Sequence, residues 1–437
     1  MATSVPASGG TPAVGGEPMQ PSAAGVAAGS GEAGMPAVQP SAAGSAGRAG
    51  AAGSVAGSAG MATLTGQAGA AGAAPNPLGA CTLPSGADAA AARALYAKWK
   101  ADLLTADGAG GFVRVRRPNS GTQINSSNSE GISYGMLIAV YMDDQPTFDG
   151  LWQYEQLHRG KNGLMEWEIS PDGKVLGSGA ATDGDEDMAF ALILADQRWG
   201  GRGSLPDSYR NYALTQLDLI WKHEVDHARN HTLTPGDDFP GASVINISYF
   251  APAYYRIFAD YSGKAEWRAV VESTYAALEA TLNAANKNAS NGLVPAWSTP
   301  EGVPMAPPGS GHPIHHQLDS CRTPFRIAQD YCWFGEARAK RYLEKIGSFH
   351  ASVGVTKLLD GYNLDGTPFP GASLHLAAFV VGAAVGAMAI PELATVRDQG
   401  YAEVMRWSTL NGGSEYYNKS WSMLGALMLT GEFKRGF

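Results

Sequence analysis

The stretch Ala180-Ala181-Thr182-Asp183-Gly184-Asp185-Glu186-Asp187-Met188-Ala189-Phe190-Ala191-Leu192-Ile193-Leu194-Ala195-Asp196-Gln197-Arg198-Trp199 joins two halves with different physics. From Met188 onward the run is apolar, and Met188, Leu192, Ala195 and Trp199 recur at helical spacing. Phe190, Ile193 and Leu194 fill much of the remaining circumference, which predicts a helix buried nearly all round. Asp183, Asp185, Glu186 and Asp187 crowd its beginning. Helix N-termini favour negative charge through the free N–H groups and the macrodipole. A cap needs one acid, or two. Four in five positions at the mouth of a buried helix mark the junction as functional.

Outside this stretch the composition divides the chain. It has 437 residues and a formal charge of −9. Residues 1–76 are almost entirely Ala, Gly, Ser, Pro and Val, too poor in core-forming side chains to offset chain entropy. They read as a disordered, flexible tether. Residues 77–437 hold all ten Trp and read as one large domain. The acidic balance argues against nucleic acid as a partner. No apolar run reaches the roughly 18 residues of a membrane span.

Met1 to Pro6 lack a basic region followed by an apolar core, so no signal segment is visible. Long Ala/Gly/Ser tethers are typical of exported proteins. The expectation is therefore a secreted or surface-tethered protein, and a monomer. Of the three cysteines, Cys321 and Cys332 lie eleven residues apart on what reads as one helix, too far to bridge. At most one disulfide, involving Cys81, is possible.

Helical patterns continue on both sides of the opening stretch. Before it come 89–104, with Leu95, Trp99 and Leu103 on one side, then 129–141 and 148–158. After it come 206–225, 247–260, 264–286, 321–334, 336–347, 372–388, 391–406 and 418–430. Strand-like alternation is sparse. About twelve helices, several apolar all round, predict an all-α fold of two concentric layers, an (α/α)6 barrel. Its end loops would converge on a cleft.

Three junctions from polar to apolar sequence carry carboxylates: Ser129-Glu130-Gly131, Thr182-Asp183-Gly184-Asp185 and Leu318-Asp319-Ser320-Cys321-Arg322. If these helix starts share one barrel end, their acids meet. Clustered carboxylates bind a hard cation or act as general acid and base. The spacing is not that of an EF-hand loop. His312, His315 and His316 lack a fourth zinc ligand at a recognisable spacing, so they read as part of a Pro/Gly-rich surface loop. Asp237 and Asp238 border the cleft or are solvated.

The segment from Ala181 to Trp199 resembles the diagnostic pattern of glycoside hydrolase family 8. Ser129-Glu130-Gly131-Ile132-Ser133-Tyr134-Gly135-Met136 resembles its general-acid block, and Asp319-Ser320-Cys321-Arg322 its general-base block. The order is the family's, and the likeness extends over about 80–437. The resemblance implies an (α/α)6 barrel and an inverting hydrolase of β-1,4-linked polysaccharide; two carboxylates suffice for that chemistry, so neither cofactor nor metal is expected. It implies Glu130 as general acid and Asp319 as general base. Asp183, with Asp185 close by, would contact the sugar, and Arg322 would orient the base or a substrate hydroxyl. Tyr134 joins the substrate-binding residues.

Inversion requires a protonated carboxyl beside the leaving oxygen and a carboxylate activating water on the opposite face, roughly 6.5–9.5 Å away. Trp167, in a polar loop, and Tyr416, ahead of the last helix, are candidates for stacking on sugar rings, with burial as the alternative for each. Asp at position 319 favours the glucanase and xylanase side of the family over the chitosanases. An endoglucanase acting on cellulose or mixed-linkage glucan is the leading expectation. A xylanase is the alternative within the family, and a non-catalytic carbohydrate-binding protein the alternative from another class.

Overall fold

The computed structural model describes residues 78–406 and 414–437; the segment 1–76 lies outside the described residues. Twelve α-helices occur among them. In chain order these are α1 (Ala89–Leu103), α2 (Ser129–Tyr141), α3 (Gln145–Leu157), α4 (Thr182–Arg198), α5 (Tyr209–His223) and α6 (Pro252–Ser262). Then follow α7 (Trp267–Thr281), α8 (Thr323–Phe334), α9 (Ala337–Val353), α10 (Ala377–Ala387), α11 (Ala394–Met405) and α12 (Glu415–Leu429).

The even-numbered helices close a ring. Each packs on the next, α2 on α4, α4 on α6, and so on until α12 returns to α2. The odd-numbered helices lie outside, each packed on at least one even-numbered helix. The sequence explains the division. Every residue of α2 and α10 is buried, and in α12 all but Glu415 and the partly covered Lys419, so these helices have no face for water. In α1 only Ala92, Leu95, Trp99 and Leu103 are buried, a single stripe facing inward. The expected (α/α)6 barrel is the fold observed.

Short antiparallel strands decorate the ends. One three-stranded sheet pairs Ser127–Asn128 with Glu168–Ile169, and the latter with Val175–Gly177. It delivers the chain into α2, where the Asn128 side chain caps the helix by accepting from the Gly131 N–H at 3.0 Å. A second pairing, Ile245–Asn246 with Trp297–Ser298, brings Asn246 to the same barrel end, beside Asp319.

Cys81 and Cys332 form a disulfide, and Cys321 is free and buried. The bond joins the segment before α1 to the last turn of α8. The three loop histidines point to different partners. His312 stacks on Trp297, His315 stacks on Phe369, and His316 is bonded to the Val294 carbonyl. Among the described residues, no helix is long and apolar enough to cross a membrane.

Candidate active site

All three acidic junctions lie at one end of the inner ring, and one side chain ties them together. Arg322 is the last residue of a 3-10 turn that leads directly into α8, and it is almost wholly buried. Its Nη1 donates to Glu130 Oε2 at 2.6 Å and to Asp183 Oδ2 at 2.7 Å. Its Nη2 donates to Asp319 Oδ1 at 3.2 Å. Its Nε donates to Ser248 Oγ, also at 3.2 Å. The rigid guanidinium fork limits the Glu130–Asp319 oxygen separation to roughly 8 Å. That limit overlaps the range in which a water fits between an acid and a base.

Two glycines let the helix starts come this close. A Cβ on Gly131 would sit 2.9 Å from the Tyr416 ring, and one on Gly184 would sit 2.9 Å from Ser129 Oγ. Alanine at either position would push α12 or α4 away from α2.

The two proposed catalytic carboxyls have different surroundings. Glu130 is 6 % exposed and accepts from Arg322 and from the Tyr416 hydroxyl. The Asp319 side chain is 30 % exposed and accepts from Asn246 Nδ2 at 3.3 Å, Gln317 Nε2 at 3.1 Å and Arg322. Water therefore reaches Asp319 while Glu130 stays largely enclosed. Asp183 completes the cluster. Burial pushes its carboxyl up to about 7; Arg322 opposes the rise and the neighbouring Glu130 charge adds to it. Three carboxylates share one guanidinium, so the site retains excess negative charge that a proton relieves.

Arg322, expected to orient the base or a substrate hydroxyl, does donate to Asp319, and it donates to Glu130 and Asp183 as well. Asp185 is not beside Asp183 in the cleft. Residues two apart on a helix point in nearly opposite directions, and Asp185 turns outward toward α5, where Gln216 Nε2 donates to it at 3.1 Å. Tyr134, one turn below Glu130, is buried edge-on against Trp421 and floors the cluster instead of facing a sugar. Trp167 packs against Gly177, so only its rim reaches solvent. Tyr416 lies inside α12, not ahead of it, and is a buried hydrogen-bond partner of Glu130 rather than an open stacking surface. Asp237 accepts from the Ala180 N–H at 2.7 Å and so pins the approach to α4, while Asp238 pairs with Lys161.

Asn246, Ser248 and Gln317 belong to the cluster and were not among the expected residues. Asn246-Ile247-Ser248-Tyr249 is a fourth polar-to-apolar junction, ahead of α6, and that resemblance to the other three was the available signal. Gln317 stands two residues before Asp319 and carried no signal of its own.

The sequence matches the profile of glycosyl hydrolases family 8 over residues 76–431. The chain belongs to this family. It is 37% identical over 349 residues to endoglucanase A of Acetivibrio thermocellus, covering 78% of this chain and 69% of that protein. It is 36% identical over 341 residues to endoglucanase 2 of Ruminiclostridium josui, covering 77% and 70%. Among solved structures it is similar to a β-1,3-1,4-glucanase from Paenibacillus sp. X4. There the TM-score is 0.72 at 26% identity, over 82% of this chain and 99% of the other. This family 8 chain is a glycoside hydrolase whose cluster around Arg322 occupies one end of the barrel.

Proposed function

We propose that the chain is an inverting, endo-acting hydrolase of β-1,4-linked glucan, with Glu130 as general acid and Asp319 as general base. The carrying observation is the single Arg322 guanidinium that holds Glu130, Asp183 and Asp319 from three separate chain segments. Glu130 gives a proton to the leaving oxygen. Asp319, open to solvent, takes a proton from a water that attacks the anomeric carbon from the other face. Asp183 contacts the sugar, and burial together with the Glu130 charge favours a proton on its own carboxyl. The named activities of the two endoglucanase relatives favour glucan over xylan.

Proton NMR of the first product from a β-linked glucan tests the stereochemistry. The α-anomer should appear first; an initial β-anomer would remove Asp319 from the base role. Glu130→Gln should fold normally and lose roughly 10²–10⁴ in turnover, with more than a tenth of wild-type turnover counting against the assignment.

The same reading places the enzyme outside the reducing cytoplasm, supported by the Cys81–Cys332 disulfide, with residues 1–76 as a tether to the catalytic domain 77–437. Removing residues 1–76 should leave turnover on soluble glucan and the melting temperature unchanged. A fall of several degrees would show that the segment packs on the domain.

A further inference from the structure

The Arg322 cluster has a copy of itself one turn deeper in the barrel. Asp187 follows Asp183 by four residues, and Arg326 follows Arg322 by four. Arg326 Nη1 donates to Asp187 Oδ1 at 2.5 Å and Nη2 to Asp187 Oδ2 at 2.8 Å, a two-pronged pair with both side chains buried. Each arginine also lies over a tyrosine ring, Arg322 over Tyr249 at 5.1 Å and Arg326 over Tyr254 at 5.5 Å. The helices joined by these two pairs, α4 and α8, are not neighbours in the inner ring, because α6 stands between them. The pairs therefore cross the barrel interior. The upper one contacts reacting groups. The lower one contacts none, and is buried.

We propose that Asp187 and Arg326 are positioning residues for the reaction, a second cross-barrel pair that fixes the facing of α4 and α8 and so holds Asp183 and Arg322 in their working geometry. The reason is mechanical. Arg322 is long, and a single guanidinium shared by three acids could swing among them. A two-pronged pair one turn below permits neither helix to rotate without breaking two charge-assisted bonds. Tyr254 and Tyr255 brace it from α6; the Tyr255 hydroxyl donates to Glu186 at 2.8 Å, and Glu186 lies 4.0 Å from Arg326. The pair also reaches the site electrically. Asp183 faces Glu130 and Tyr134 from α2, Arg322 and Arg326 from α8, Tyr249 from the turn before α6, and Asp187 on its own helix. The charge of Asp187 raises the Asp183 carboxyl and that of Arg326 lowers it.

The inference rests on the catalytic reading above, and the test keeps the two apart. Three variants are compared with Glu130→Gln on the same soluble glucan. Asp187→Asn leaves a bare positive charge beside Asp183. It should move the alkaline limb of the kcat/KM profile toward acid by roughly 0.5–1 pH unit and lower kcat. Arg326→Lys keeps the charge but loses the fork. It should lower kcat three- to tenfold with KM within about twofold, and leave the limb in place. The neutral pair Asp187→Asn with Arg326→Gln should keep the fold by circular dichroism while kcat falls at least tenfold. If that double variant does not fold, Arg326→Lys decides alone. Wild-type kcat in Arg326→Lys, or an unmoved limb in Asp187→Asn, overturns the positioning role. Should Glu130→Gln stay active, the catalytic reading itself has failed. Should it be inactive while the deeper variants match wild type, only the positioning role has failed.

Discussion

Asp183 and Asp185 stand two residues apart on one helix, and neither has appreciable contact with water, yet their surroundings differ completely. Asp183 faces the barrel axis, where Arg322 donates to it and to the part-exposed Asp319. Asp185 faces α5. There it meets the Glu224 carboxyl, and burial followed by the charge of Glu155 drives it well above the ordinary carboxylate range. Neither Glu224 oxygen meets an N–H or hydroxyl donor, because nearby Thr182 spends its proton on the Thr234 carbonyl at 2.7 Å. Two facing carboxyls satisfy each other only when one carries a proton. Arginine reaches this group only at its margin, where Arg159 binds Glu155 at 3.1 Å. On the axial side, buried charge is balanced by a cation and the proton can leave toward a substrate. On the α5 side, burial and the neighbouring carboxyls favour the protonated forms instead.

Removing the axial cation is the severest way to break this contrast. Arg322→Met leaves three acids facing one another with no cation, and loss of one partner of a buried ion pair costs about 3–5 kcal/mol. Urea unfolding should show a loss of that size, and turnover should be undetectable. If the variant is as stable as wild type, the acids do not depend on Arg322.

A smaller effect tests the α5 side. A carboxyl raised in the folded state binds more protons there than in the unfolded chain. Stability is then full below the unfolded value and falls as pH climbs toward the raised one. Glu224 is raised by burial and by Asp185. Glu155, pushed up to about 7 from 4.5 by burial, adds to the same decline between those values. Glu224→Gln supplies a donor to Asp185 without needing a proton. It should gain about 1–2 kcal/mol at pH 8 and flatten the decline, while turnover stays within about twofold. Melting temperatures across pH 4–8 would show it, and an unchanged slope would mean that the Glu224 carboxyl holds no structural proton.

Much of this was legible in the sequence, for physical reasons that also set the limits. An inner helix must be apolar all round, so α2, α4 and α12 announce themselves, and the acids at the starts of α2 and α4 stand out against that background. The divergence of Asp183 and Asp185 was legible too, since 100° per residue separates them, but the density of acids drew them together. Tyr416 and Trp167 read equally well as sugar platforms or as packing, because burial depends on neighbours distant in sequence. Asn246 and Gln317 come from loops whose paths no local periodicity fixes. The partner of Cys81 lies 251 residues away, and only closure of the ring brings the two together.

That closure also sets where the described chain enters the barrel. Arg322 stands at the beginning of α8 and Cys332 near its end, about 15 Å apart along the axis at 1.5 Å per residue. The Ala80 N–H donates to the Cys332 carbonyl, and Cys81 is bonded covalently to the same residue. The described chain therefore enters at the floor of the barrel, on the side away from the acids. That entry leaves the end that carries the acids clear, so the start of the described chain and the chemistry never compete for one face.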